Sequence, residues 1–219
     1  MSVRRFGSQN QLIRPRGVRV GPGYNRAKRA MDVIASIAAL VALAPVMAAL
    51  ALAVKLDSPG PVLFRQQRAG RGNRPFTILK FRSMRIGATG PLVTAAQDAR
   101  VTRVGRFLRR YKLDELPQLW NVLVGDMSLV GPRPEVERYV RLFPEAYERI
   151  LTVRPGLTDF AALEYRDEQA TLQASPDPES VYTAVVLPAK IELYHLYLDE
   201  MSLGTDVVLV LRTIAVLLR

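Results

Sequence analysis

The hydrophobic pattern is dominated by one uninterrupted apolar run, VIASIAALVALAPVMAALALAV at 33–54, which holds no charged residue. As a straight helix it would rise roughly 33 Å, enough to cross a hydrocarbon layer. Pro45 lies near its middle, where proline lacks an amide donor and clashes with the preceding turn, so a break is expected there. Beyond the turn Ser58-Pro59-Gly60-Pro61 the apolar runs shorten. VLF at 62–64 and FTILKF at 76–81 predict two strands of a hairpin around the loop Ala69 to Asn73. Helical spacing returns with Leu116, Leu119, Trp120, Leu123 and Val124, predicting a helix that starts close to Asp114 and buries that face. EVERYVRLFPEAYERILTV reads as two helical pieces split near Pro144, and 164–184 as a polar loop; a helix resumes near Pro188. The segment 205–219 is apolar apart from Arg212 and Arg219 after a Thr-Asp start, and suits docking on the protein or lying in an interface with both arginines snorkelling. The elements together predict an α/β fold, mainly helical, with one small β-hairpin, in a single domain over 26–219.

Charge changes the picture of the apolar run. The chain carries a formal +11 and a pI near 10.4, which points to polyanions, anionic lipid or phosphorylated small molecules as partners. Residues 1–25 are basic and glycine- and proline-rich, and read as a flexible arm. Arg26, Lys28 and Arg29 precede the run, and Lys55, Arg65, Arg68, Arg71 and Arg74 follow it. Basic residues at both ends are expected if both ends stay on the cytoplasmic face, so a re-entrant helix broken at Pro45 accounts for flanks and proline together. Its backbone at the break would need partners such as Ser36 or Asp32. A spanning helix merely kinked at Pro45, or a buried helix of a soluble core, are the alternatives. The absence of cysteine excludes disulfides, thiolate metal sites and a cysteine nucleophile. A lone histidine, His195, makes no metal cluster and reads as packing. With no zinc pattern, aromatic ribonucleoprotein motif or recognition helix, no nucleic acid is expected as a partner. A basic peripheral membrane or nucleic-acid-binding module without catalysis is the non-enzymatic alternative.

The candidate chemistry sits in KLDELPQLW at 112–120. Asp114 suits a helix cap with Pro117 in the first turn. Adjacent side chains on a helix diverge by about 100°, so Asp114 and Glu115 are not a presumed proton-sharing pair. They suit two separate tasks, Asp114 attacking phosphorus and Glu115 holding a divalent cation, or else an ordinary acidic first turn. Lys80, Arg82 and Arg85 offer donors to phosphate oxygens. Arg133, between Pro132 and Pro134, is pre-aimed either at phosphate or at a structural salt bridge. Asp126 reads as support for a metal or cation, or as a turn or cap residue; Trp120 reads as packing or an interface contact.

Four ordered blocks, KRAMDVIAS at 28–36, KLDSPGPVLFRQQRAGRGNRPFTILKFRSM at 55–84, TRVGRFLRRYKLDELPQLWNVLVGDMSLVGPRP at 102–134 and RPGLT at 154–158, closely resemble the bacterial sugar transferases of the monotopic phosphoglycosyl transferase family, in its small form that is essentially the catalytic domain alone. The resemblance runs from about residue 26 to the end. It implies a re-entrant membrane helix over 33–54, interfacial helices, and a catalytic face at the cytoplasmic side of the bacterial inner membrane, against membrane phospholipid. It further implies transfer of a sugar 1-phosphate from a UDP-sugar to polyprenyl (undecaprenyl) phosphate with Mg2+, an early step of polysaccharide or glycoconjugate assembly. By the same resemblance Asp114 is the nucleophile of a covalent, ping-pong route, Glu115 assists the metal, and Lys80, Arg109 and Arg133 serve the phosphates. The chain departs from the family pattern at Ala44, where serine is frequent before the proline, at Lys112, and at Asp159 and Ala162 after the RPGLT block. The helical surfaces leave room for a homodimer.

Overall fold

A computed structural model describes residues 23–88, 90, 98–168, 172 and 176–217. Most of the basic arm, part of the polar loop and Arg219 lie outside the described residues. Helix α1 (Tyr24–Asp57) takes in the whole apolar run and its basic approach. Alanine and leucine dominate its sequence and favour the helix, which ends at Ser58 in extended conformation before Pro59 and Gly60. Pro45 corrects the expectation of an interruption: helical conformation continues through it from Tyr24 to Asp57. The helix dispenses with one amide donor there, a loss that a 34-residue element sustains through its remaining ladder.

The two ends of α1 are held by different means. Lys28, Asp32 and Ser36, spaced by four, form a buried polar stripe. Asp32 accepts from the Leu129 amide at 3.0 Å, and Lys28 pairs with Asp206 at 2.8 Å. Asp32 thus serves a neighbouring strand rather than the backbone near Pro45. At the other end Val54 is buried with Phe81 and Leu108, and Met47, Leu50 and Ala51 pack around them. Between these anchors Ile34, Ile37, Val41 and Val46 are exposed.

Strands β1 (Leu63–Ala69) and β2 (Pro75–Phe81) pair antiparallel, with Phe64 opposite Lys80 and Ala69 opposite Pro75. β1 reaches further than the apolar pattern indicated because its second half, Arg65 to Arg68, is a polar ladder with no hydrophobic signature. The connecting turn requires left-handed backbone at Gly72 and Asn73, residue types that accept it. Helix α2 (Arg103–Arg110) is capped by Thr102, whose hydroxyl accepts from Gly105 N at 3.0 Å. Lys112, at φ 55°, ends that helical course, and a separate 3-10 turn carries Leu113–Glu115 before α3 (Gln118–Val124). This revises the expected helix start: Asp114 caps nothing, and Pro117 occupies the N-cap position itself.

A second, unforeseen pair is parallel: β3 (Ser128–Val130) lies beside β4 (Gly156–Thr158). Their approach excludes side chains, since a Cβ on Gly156 would stand 2.1 Å from Gly131 N. Helices α4 (Glu137–Val140), α5 (Pro144–Ile150), α6 (Phe160–Glu164), α7 (Pro178–Val181), α8 (Leu187–Glu200) and α9 (Leu203–Leu217) cover these strands, with a π-helical turn, Tyr182–Val186, leading into α8. Their core gathers Tyr147, Tyr194, Tyr197, Leu187, Leu198 and Leu209 around Val130. α9 docks through Leu209 and leaves Val207, Val208, Leu211 and Ile214 exposed. His195 is buried on α8, as packing requires.

Candidate active site

Three elements converge on the Asp-Glu turn. β2 supplies Lys80, the last turn of α2 supplies Arg109, and the segment after β3 supplies Arg133. Lys80 Nζ lies 2.8 Å from Glu115 Oε1. Arg133 spans the same carboxylate, donating from Nη1 to Oε2 at 3.1 Å and from Nη2 to Oε1. This two-point contact uses the planar fork of guanidinium, which an ammonium group lacks.

The backbone of Arg133 is fixed before its side chain is considered. Gly131 N donates to Thr158 O at 3.0 Å, and Gly156 N donates to Pro132 O at 2.9 Å. Arg133 N itself donates to Asp159 Oδ2 at 3.0 Å, while Asp159 Oδ1 receives Ala162 N and caps α6. Asp159 is therefore a positioning residue that the sequence reading counted only as a departure from a pattern. The signal was present: an aspartate before FAALE is a helix-start pattern.

Neighbouring carboxylates have opposite environments. Burial pushes the Asp114 carboxyl upward, against the lowering fields of Lys80, Arg109 and Lys112, and Glu115 adds to the rise. Burial also opposes charge on Glu115, but Arg133 and Lys80 outweigh it and hold that carboxyl well below its usual range. Burial lowers Lys80 and Arg109, with Glu115 and Asp114 respectively the leading opposing influences. Glu115 leads the upward shift of Arg133. Among the described residues Asp114 accepts no hydrogen bond, whereas both oxygens of Glu115 are occupied. One acid is clamped while the other keeps its lone pairs, in the field of several cations.

The remaining sequence candidates lie elsewhere. Arg82 is buried, and its Nη2 donates to Val54 O, Ser58 O and Ser58 Oγ at 3.1, 2.6 and 3.1 Å. It closes the carbonyl end of α1 instead of facing phosphate, a favourable place for a cation. Asp126 accepts from Asn121 Nδ2 at 3.3 Å, in a group that ties α3 to β2 through Asn121 and Leu79 N. It supports that junction and does not join the cluster around Glu115. Trp120 and Val124 are exposed, correcting the expected buried face; Leu119 and Val122 take the core positions. Among the described residues no group of three or more His, Cys, Asp or Glu is arranged for a metal.

Comparison with known proteins agrees with these blocks. The profile of the family described as bacterial sugar transferase matches residues 23–219. A UDP-glucose:undecaprenyl-phosphate glucose-1-phosphate transferase from Caulobacter vibrioides is 42% identical over 221 residues, covering 97% of this chain and 78% of the relative. A UDP-N-acetylgalactosamine-undecaprenyl-phosphate N-acetylgalactosaminephosphotransferase from Aeromonas hydrophila is 40% identical over 206 residues, 90% of this chain and 45% of that protein. A UDP-glucose:undecaprenyl-phosphate glucose-1-phosphate transferase from Escherichia coli is 42% identical over 200 residues, 88% of this chain and 40% of its own length. The chain thus spans less than half of the Aeromonas and Escherichia relatives. Matched by that one profile over its whole described length, the chain belongs to the bacterial sugar transferase family.

Proposed function

We propose that the protein transfers a sugar 1-phosphate from a UDP-sugar to polyprenyl phosphate at the cytoplasmic face of the bacterial inner membrane. The observation that carries this reading is the asymmetry of the two acids: Glu115 immobilised by Lys80 and Arg133, and Asp114 buried beside it with unengaged oxygens. A carboxylate oxygen of Asp114 attacks the β-phosphorus. The bond from that phosphorus to the bridging oxygen breaks, and UMP leaves with the electron pair. An oxygen of the lipid phosphate then attacks the phosphosugar, the bond to Asp114 breaks, and the carboxylate is regenerated. Dividing the transfer into two displacements predicts ping-pong kinetics. Lys80, Arg109 and Arg133 neutralise the phosphates, without which nucleophile and substrates would repel one another.

Mg2+ fits this donor set. It is commonly held by one or two carboxylates together with substrate phosphates, and Asp114 and Glu115 supply hard oxygens of that kind. Glu115 would hold it, with Lys80 and Arg133 turning toward phosphate as their shared carboxylate is taken up. When bound, the ion would supply electrostatic stabilisation of charge on the phosphates.

A re-entrant α1 is part of the reading. Among the described residues this is the one helix long and apolar enough to cross a membrane. Yet both its ends are tied to one small body: Arg29 donates to the carbonyls of Val122 and Leu123, and Val54 packs on Phe81, a strand neighbour of the Leu79 that bonds Asn121. A straight helix would separate residues 29 and 54 by roughly 37 Å, more than the roughly 23 Å length of β2. A bend at Pro45 with both ends on one membrane face accommodates these anchors, and phospholipid then surrounds the exposed middle.

The relatives are named for glucose and for N-acetylgalactosamine, so similarity of this order leaves the sugar to a donor panel. Purified protein in lipid, given labelled UDP-sugars and Mg2+ without acceptor, is expected to release UMP and retain label on Asp114. Full turnover with label passing to acceptor and no competent adduct at residue 114 would reject the covalent route. A protein that binds membrane but releases no UMP from any donor would favour the non-catalytic basic module.

A further inference from the structure

A second cationic site lies at the base of α1 and shares no residue with the Asp114–Glu115 cluster. A cavity of about 190 Å3 is lined by Arg29, Arg71, Arg154 and Ser128, with Lys28 and Asp32 also in its wall. Lys28 is already paired with Asp206, and Asp32 already receives Leu129 N. The arginines have no such partner: among the described residues none of the three makes an ion pair.

Backbone carbonyls hold these guanidinium groups in place. Arg71 Nε donates to Thr152 O at 3.0 Å and Arg154 Nε donates to Gly125 O at 2.8 Å, which leaves their terminal nitrogens available. Arg29 donates to Val122 O and Leu123 O. The crowding of like charge is felt at Arg154, which burial lowers first and Arg29 and Arg71 lower further, with Asp32 opposing them. Ser128, 1% exposed, adds an independent sign of a ligand: its Oγ is buried at the cavity and has no hydrogen-bond partner. Buried hydroxyls without partners are uncommon and call for an explanation.

The cavity has an apolar exit. A contiguous groove of about 640 Å3 shares Asn25, Arg29 and Arg154 with it and continues along Ala30, Val33 and Ile34 of α1. Charge thus gives way to hydrocarbon along one helix, over the first turns of the segment assigned to the bilayer. We propose that this site binds one anionic phospholipid, its phosphate received by Arg29, Arg71, Arg154 and Ser128 Oγ and an acyl chain running along Val33 and Ile34. Guanidinium and hydroxyl donors suit phosphate oxygens, and an anionic headgroup neutralises a cluster in which the three arginines meet a single lining carboxylate, that of Asp32. The bound lipid would fix the depth at which α1 enters the membrane. The inference rests on the membrane placement of α1 proposed above.

Native mass spectrometry of the full chain in detergent tests it, with dioleoyl phosphatidylglycerol, dioleoyl phosphatidylcholine and inorganic phosphate as separate probes. One phosphatidylglycerol per chain is expected to survive at energies that strip phosphatidylcholine, and inorganic phosphate is expected to bind more weakly than the lipid. Arg71→Gln/Arg154→Gln is expected to weaken retention roughly ten-fold or more, and Ser128→Ala, which deletes one donor without touching charge, by less. Equal retention of the two lipids, or retention indifferent to both variants, overturns the site. Displacement of phosphatidylglycerol by equimolar polyprenyl phosphate would reassign the cavity to the acceptor and overturn it equally. UMP release by the same wild-type preparation separates this inference from the transfer reading. Selective lipid retention without UMP from any donor overturns transfer and leaves the lipid site standing, whereas UMP release without selective retention overturns the lipid site alone.

Discussion

The molecule contains two groups of cations whose difference lies in what faces them. Around the Asp-Glu turn, Lys80 and Arg133 converge on Glu115 and the field of Arg109 falls on Asp114, so positive charge is largely met by the protein's own acids. At the base of α1, Arg29, Arg71 and Arg154 donate to carbonyls, beside a buried hydroxyl and the one carboxylate of Asp32. The first arrangement can exchange partners when phosphate arrives, because its cations already have a carboxylate to leave and return to. In the second, Asp32 is the one lining carboxylate and already serves Leu129 N, so an external anion is what completes the neutralisation. Catalysis suits the former and stable retention suits the latter.

Removing the unclamped acid is the most severe way to break the comparison. Asp114→Asn preserves volume but forfeits the anionic nucleophile, and turnover is expected to fall roughly 10^4-fold or more, about 5.4 kcal/mol in barrier. Adduct formation should vanish with it, while phosphatidylglycerol retention at the other group should not change. UMP release at wild-type rate would remove Asp114 from the chemistry.

The fork on Glu115 comes next. Arg133→Lys keeps the charge and loses the two-point contact, so kcat/KM for the UDP-sugar is expected to drop roughly 10^2-fold. Steady-state kinetics in nanodiscs would measure it. An unchanged value would mean that charge alone, without planar geometry, serves the site.

Much of this contrast was legible in the sequence, though unevenly. The hairpin and the apolar helix announced themselves through short and continuous apolar runs, and the resemblance carried by KLDELPQLW and GPRP pointed to Asp114, Glu115 and Arg133, which the fold brings together. Lys80 and Arg109 also proved to be neighbours of the pair, though they lie 34 and 5 positions before Asp114. Four features escaped. The 3-10 turn at Leu113–Glu115 depends on Lys112 taking left-handed backbone, for which lysine has no propensity signal. The parallel pairing of β3 with β4 joins three-residue strands too short for a readable period. Arg82 looked like a phosphate ligand because its neighbours are cationic; its role as donor to the end of α1 arises from a tertiary contact 24 to 28 residues away. The basic cavity likewise unites Arg29, Arg71, Ser128 and Arg154 from four distant segments, none of which stands out locally.

Acid sharpens the comparison more gently. Asp114 must be ionised to attack, and burial has moved its protonation upward, so kcat should decline on acidification earlier than for an ordinary aspartate. Glu115 runs the other way: its lowered carboxyl contributes stability above its unfolded value and loses it only as pH falls further toward the folded one. Guanidinium groups do not titrate in this range, so lipid retention at the α1 base should stay level while turnover falls. Parallel loss of both on a pH series would point to general unfolding.

The smallest effect concerns the residue that aims Arg133. Asp159 is fully buried, and burial raises its carboxyl to about 6 despite donors from Ala162 and Arg133. A carboxyl whose folded value exceeds its unfolded one adds stability as pH falls through the folded value, and loses it as pH rises again. Between pH 7 and pH 5 a shift from 3.8 to about 6 corresponds to a gain of about 1 kcal/mol for the wild type. Asp159→Ala removes the cap of α6 and the acceptor for Arg133 N, costing about 1–3 kcal/mol, and it cannot gain on acidification. Melting curves of the two proteins in one detergent at pH 7, 6 and 5 should therefore draw apart as pH falls. Curves that converge instead would mean that the two backbone donors hold Asp159 ionised despite its burial, and that Arg133 is aimed by a charge present throughout the working range.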